Sequence, residues 1–261
     1  MDLPPGKSKT DFKIGPVTLL TNDYQAWYID SPGTNMAHGG SMTNGKTVYT
    51  GPSMLDGQSI KGVTTGTVDP SRNSKTGDML QLWIMPTNSK PTEAVKNGDD
   101  ASVCGACPHR PSVAKSLGVK KCYVNVGQAP NRVYGTTYPE TGTTRAAPVR
   151  LGAWGEPTAI PFDVLSPLTA NGHTGYTHQW RDCDIRYQDI LMASVDSPEE
   201  KAEAEALGWR TFRVRTPDQP ILDGEISCPA SKEAGKKTQC AKCLLCSGTS
   251  RKAKNIVIIA H

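Results

Sequence analysis

Apolar positions along this chain come in short runs, and their rhythm changes near the middle. Before residue 70, alternating segments at Val17–Leu20, Ala26–Ile29 and Thr47–Tyr49 are broken by Gly, Ser, Thr and Asn, which predicts short strands or extended loops. A stronger apolar run, Met79–Met85, predicts a buried strand behind the polar turn 71–77. Residues 92–100 read as polar helix or loop, and Pro111–Leu117 as a short helix. Residues 126–148, rich in Pro, Gly and Thr, read as a long loop.

From Val149 onward strands and helices alternate. Val149–Trp154 predicts a strand ending at Gly155-Glu156-Pro157, and Pro161–Leu168 a helix. Tyr176–Trp180 and Ile190–Asp196 predict two more strands. Ser197 then caps a helix with Pro198 at its first position and Glu199 and Glu200 near its positive end, and that helix stops at Gly208. Thr211–Arg215 and Asn255–His261 complete the strands. This spacing predicts parallel β/α units with right-handed crossovers over residues 71–261, preceded by a β-rich extension over 1–70. Sheets and barrels of that kind gather chemistry at the C-terminal ends of their strands. Here those ends carry Glu156, His178 with Trp180, Asp196, Arg215 and His261.

The cysteines sharpen the picture. Seven of the eight fall into two groups: Cys104, Cys107 and Cys122, then Cys228, Cys240, Cys243 and Cys246. Cys183 stands apart between charged residues and reads as a buried structural thiol. The N-terminus is polar, without a secretory signal, and no apolar run approaches the roughly 20 residues of a membrane span. The expectation is a cytoplasmic protein with no membrane partner, where thiolates hold metal in preference to pairing as disulfides. In the second group C-x2-C-x2-C packs three thiolates into one loop, with Cys228 upstream, a spacing like the loops that wrap iron–sulfur cubanes. Structural zinc is the alternative. The first group supplies three thiolates and leaves one coordination position open for chemistry, unless His109 completes a Cys3His zinc site.

Length and charge add less. The chain has 261 residues, enough for one large domain or two small ones, and its net charge of +4 does not by itself indicate nucleic acid. The cations are bunched, however. Lys115, Lys120 and Lys121 lie beside the first cysteine group, and Lys232, Lys236, Lys237, Arg251, Lys252 and Lys254 around the second. A solvated face or a phosphate-bearing substrate explains such bunching.

The order of a strand, a cysteine loop ending in Cys122-Tyr123, and a strand ending in Gly155-Glu156-Pro157 resembles the radical S-adenosylmethionine superfamily. The N-S-K-T-G segment Asn73–Gly77, the C-P…C-Y pattern and the V-I-I-A-H end are also similar to an uncharacterised group of bacteriophage-encoded proteins of that kind. The resemblance covers roughly residues 71–261 and implies an α/β fold: a partial parallel β/α barrel, with the N-terminal β-rich extension and a C-terminal cysteine-rich insertion. It implies that Cys104, Cys107 and Cys122 hold a 4Fe–4S cluster with S-adenosylmethionine on the open iron. Gly155, Glu156 and Pro157 would hold the amino group of that cofactor, with Trp154 where the superfamily has a further Gly. The superfamily's usual motif is C-x3-C-x2-C; here a short helical insertion would close the gap between Cys107 and Cys122. Asp196, His178, Arg213 and Arg215 would line the substrate pocket, and Cys228, Cys240, Cys243 and Cys246 would bind a second cluster or a zinc. The implied partners are an electron donor and a small-molecule or nucleotide substrate, which in a phage-infected host extends to a DNA base. A metal-stapled module that binds nucleic acid or protein without turnover is the alternative.

Overall fold

The structure, a computed structural model, describes residues 43–70, 73–119 and 122–260. The strands expected at 17–20 and 26–29, Lys120, Lys121 and His261 lie outside the described residues.

Two sheets of five strands carry the fold. β1 (Gly45–Pro52) and β2 (Ser59–Thr65) form an antiparallel hairpin, and β2 pairs antiparallel with β3 (Leu80–Pro86). From β3 onward every pairing is parallel. β3 pairs with β4 (Val149–Trp154), and β4 with the two-residue β5 (His173–Thr174). The second sheet runs β6 (Tyr176–Thr177), β7 (Met192–Val195), β8 (Thr211–Arg215), β10 (Asn255–Ile259) and, at its edge, β9 (Glu225–Ser227). The described part of the expected β-rich extension, residues 43–70, forms an antiparallel flank on the sheet of β3. No barrel is closed among the described residues.

Gly175 is the only residue between β5 and β6. Its N–H donates to the Cys246 carbonyl at 2.9 Å, and its own carbonyl accepts the Met192 N–H at 3.0 Å. A side chain there would run into Leu191 Cδ2 and stand 3.1 Å from Leu151 Cβ, so the fully buried Leu191 would have to shift to admit one. The chain changes sheets at this point, and its parallel strands follow the sequence in the order β3, β4, β5/β6, β7, β8, β10.

The core follows from the apolar runs. Leu82, Ile84 and Met85 of β3 and all four residues of β7 are buried, the near-continuous burial that parallel strands covered on both faces require. Each such Leu, Ile or Met contributes about 1.5–3 kcal/mol by leaving water. Short helices fill the connections. The segment read as polar contains α1 (Pro91–Asn97), α2 (Ala101–Cys104) opens the first cysteine group, and α3 (Pro111–Leu117) has the expected bounds. The expected long loop 126–148 contains α4 (Ala129–Tyr134), which starts on Pro130 near its first turn. The helix expected over 161–168 shortens to α5 (Phe162–Leu165) plus a 3₁₀ turn, because Pro167 has no N–H to continue an α ladder. α6 (Pro198–Ala206) carries its expected cap: the Ser197 hydroxyl accepts the Glu200 N–H at 3.1 Å, and the Glu200 carboxylate reaches back to the Asp196 N–H at 2.9 Å. α7 (Cys240–Cys243) is a single turn. No helix among the described residues is long and apolar enough to cross a membrane.

Candidate metal centres

The first cysteine group sits in the connection that follows β3. Cys104 ends α2, and Gly105 turns the chain at φ +51°, letting the Cys107 N–H fold back on the Cys104 carbonyl at 3.1 Å. Arg110 staples this turn. Its guanidinium donates to the Asp100 carboxylate (2.8 Å) and to the Gly98 and Gly105 carbonyls (3.0 and 3.1 Å). The excursion through α3 ends at a left-handed Gly118, and the Cys122 N–H then donates to the His109 carbonyl at 2.7 Å. The helical insertion therefore returns Cys122 to the loop that holds Cys104 and Cys107. Each of the three thiols lies within electrostatic reach of the other two. Burial is the first cause that raises the Cys104 and Cys122 thiol pKa values, and the neighbouring thiols add to it. Ionising such a set needs a cation among the sulfurs.

The strand ends meet this loop. Gly155 follows β4 at φ +91°, where a side chain would stand 2.7 Å from Ile84 Cβ and 2.8 Å from the Ile84 carbonyl. The bare backbone lets the Glu156 N–H reach the Val103 carbonyl at 2.6 Å, tying β4 to the cysteine loop. The Glu156 carboxylate is 7% exposed and takes both His178 donors on one oxygen: the backbone N–H at 3.1 Å and Nδ1–H at 3.0 Å. That exchange ends β6 two residues after it starts, where the sequence predicts a strand through Trp180. The other oxygen, Oε2, is buried and has no hydrogen-bond partner, as is true of His178 Nε2 and Gln179 Nε2. Burial opposes charge on His178, but the Cys107 and Glu156 side chains outweigh it and hold the imidazole pKa well above its usual value. His109 stacks edge-on against His178 with ring centroids 5.6 Å apart, and its Nε2 pairs with Asp196 Oδ1 at 3.2 Å beyond the end of β7.

Two sets of ligand atoms lie within 4.8 Å of one another: Cys107, Glu156 and His178, and His109, His178 and Asp196. Neither cysteine group is gathered so closely among the described residues. A tetrahedral zinc with Zn–S of about 2.3 Å would hold its sulfurs about 3.8 Å apart.

The second group lies near the starts of the parallel strands. The Cys228 N–H donates to the Val257 carbonyl of β10 (2.9 Å), the Cys240 N–H to Lys75 ahead of β3 (3.0 Å), and the Cys246 carbonyl takes the Gly175 N–H. Leu244 turns the loop at φ +50°, and its side chain fills the space over Gly172. Cys228 and Cys246 are buried against Met192, Ile256 and Ile258. Burial pushes the Cys246 thiol up to about 12, against a hydrogen bond from Tyr176 that pulls it down. The charges of Cys228, Cys240 and Cys243 all act on Cys246.

Other expected residues fall elsewhere. Arg213 and Arg215 are committed to the chain around the β8–β9 connection. The fully buried Arg213 guanidinium pairs with Glu225 at 2.7 and 2.8 Å and with the Pro220 carbonyl, while Arg215 binds the Thr216, Pro217 and Gln219 carbonyls. Removing one partner of a buried pair like Arg213–Glu225 costs about 3–5 kcal/mol, which makes it a structural staple. Cys183 joins neither group. It lines a cavity of about 660 Å³ that reaches Gly105, Ala106 and Gln179 beside the first site, and burial raises its thiol pKa to about 12. Two residues were missed in the sequence. Arg150 donates to the Tyr123 hydroxyl, and its charge acts on both Cys122 and Cys240, placing it between the two groups. Tyr176 bonds Cys246. An arginine inside the apolar run V-R-L-G-A-W was the available signal for the first; nothing marked the second.

Comparison with known proteins finds no match: no family model, no curated protein and no solved structure resembles the chain at a significant level.

Proposed function

We propose that this protein is an iron–sulfur enzyme of the radical S-adenosylmethionine type, built on an open parallel β/α barrel, with a nucleotide or nucleic-acid base as its substrate. The observation that carries the reading is the meeting of Cys104, Cys107 and Cys122 with a buried Glu156 whose Oε2 has no partner. Three thiolates leave one iron of a cubane without a protein ligand, and an orphaned buried carboxylate oxygen is an acceptor for a ligand's ammonium group. The residues present fit a cluster and its cofactor. The in-order parallel strands, with this site at their C-terminal ends, support the same class.

When bound, the cluster and S-adenosylmethionine supply a carbon radical that abstracts hydrogen, given an electron from a donor protein. The chain's own residues do the rest. Cys104, Cys107 and Cys122 hold the cluster, and Glu156 orients the cofactor's amino group. His178, fixed by Glu156, and the His109–Asp196 pair form the polar wall of the site. The neighbouring 660 Å³ cavity offers room for a substrate and keeps it close to the reacting atoms.

A titration of S-adenosylmethionine into anaerobically reconstituted protein, read by calorimetry, tests the assignment. Glu156→Gln removes the charge and keeps the shape, and binding should weaken about 10–100-fold. A wild-type protein that takes up no heat with the cofactor, or a variant that binds equally well, overturns it.

One observation favours a second reading. The ligand atoms of Cys107, Glu156 and His178 already lie within 4.8 Å of one another, which suits a mononuclear metal ion. On that reading the protein is a metal-stapled binding module without turnover, and it holds zinc and no sulfide.

A further inference from the structure

Next to the second cysteine group lies a cavity of about 690 Å³ whose wall carries Lys75, Lys232, Lys236, Lys237 and Lys242 and no acidic residue. Two separate pieces of chain build it. The loop ahead of β3 contributes Lys75, and it is fixed to the cysteine loop by the Gln239 side chain on the Ser74 carbonyl (3.1 Å) and by the Cys240 and Ala241 N–H groups on the Lys75 and Thr76 carbonyls (3.0 and 3.1 Å). The concavity is thus held by backbone bonds, while its ammonium groups project from exposed positions. Glu233, the one acid between Cys228 and Lys254, accepts the Ile259 N–H on its Oε1 at 3.0 Å and does not line the cavity. The ion pairs among the described residues use none of these five lysines.

The Cys228 and Cys240 thiols lie within electrostatic reach of Lys75 alone among these lysines, and the rest of the cluster still favours a further anion. The charge also continues past the cavity. Arg251 donates to the Cys243 carbonyl at 3.1 Å, and Lys252 and Lys254 follow it, exposed. A single di- or triphosphate would neutralise the cavity and leave this extension unused. A phosphodiester chain would engage both. We infer that this face is a binding track for the backbone of single-stranded nucleic acid, which enters the lysine cavity beside the second cysteine group. The track lies beside the second cysteine group, away from the proposed reacting site, so the binding needs only the folded cysteine loop and stands whether or not S-adenosylmethionine binds.

Fluorescence anisotropy of a labelled single-stranded DNA oligonucleotide with the metal-loaded full chain tests it. Five phosphate contacts predict a slope of about −3.5 in log affinity against log salt, so affinity falls about 100-fold between 50 and 200 mM salt. Lys232→Gln/Lys236→Gln/Lys237→Gln removes three contacts on exposed positions. It should flatten the slope by about 2, while Lys90→Gln/Lys96→Gln, elsewhere on the surface, should leave it unchanged. Unlabelled oligonucleotide should displace the probe at far lower phosphate concentration than pyrophosphate does. Equal slopes in the triple variant and the wild type overturn the inference. So does pyrophosphate displacing the probe as well as the oligonucleotide per phosphate, since that assigns the cavity to a small phosphate ligand. Binding of DNA with no calorimetric response to S-adenosylmethionine would sustain the track and refute the proposed enzyme; the reverse would refute the track alone.

Discussion

The two cysteine groups use the same side chain in opposite settings. The second draws four thiols from one short loop and one upstream position; Cys228 and Cys246 are buried against Met192, Ile256 and Ile258, Tyr176 bonds Cys246, and the charges of Lys75 and Arg150 reach Cys240. The first brings three thiols from a loop opened by α3 and surrounds them with Glu156, His178, His109 and Asp196, some of whose buried polar atoms have no partner. On the proposed reading, four thiols form a closed set that staples structure, and three thiols beside unpaired polar atoms form an incomplete set open to a ligand. That reading puts chemistry in the first group and stability in the second.

The sharpest way to break that contrast is to remove one thiol from each group. Cys246→Ala deletes a buried thiol packed against Met192, Ile256 and Ile258 that on the proposed reading is a metal ligand, and it should lower the anaerobic melting temperature by about 10 °C. Cys107→Ala should shift it by only about 2 °C, because that loop is also fixed by Arg110 and by the Cys122–His109 backbone bond. Equal losses by calorimetric scan would erase the division of labour. A finer probe is Tyr176→Phe, which removes one hydrogen bond to Cys246 and nothing from the first group. It should cost about 1 kcal/mol in chemical denaturation and leave S-adenosylmethionine affinity unchanged. A change in that affinity would mean that the two groups act as one.

The parallel core was legible wherever a strand was long enough to show its apolar run. Leu80–Pro86, Val149–Trp154 and Thr211–Arg215 fall where the pattern puts them, and α6 announces itself through Ser197 and Pro198. β5 and β9 were not legible as strands, because two or three residues carry no period, and β6 was legible but read three residues too long. The length of β6 is set by Glu156, a residue 22 positions away in the chain from His178. At the site, cysteine spacing revealed both groups, and Gly155-Glu156-Pro157 revealed the strand end that meets the first. Arg213 and Arg215 illustrate the opposite case. Their place at the end of β8 suggested a pocket, but Glu225 and the carbonyls of the following loop, invisible in a linear reading, hold Arg215 and the Nε and Nη2 of Arg213, whose Nη1 stays buried without a partner.

The most direct measurement is the iron, sulfide and zinc content of anaerobically purified wild-type protein beside Cys107→Ala. The account predicts about eight iron and about eight sulfide per wild-type chain, from two cubane clusters, and about half of each in the variant. Zinc without sulfide in the wild-type protein, or iron unchanged by the loss of Cys107, would contradict it.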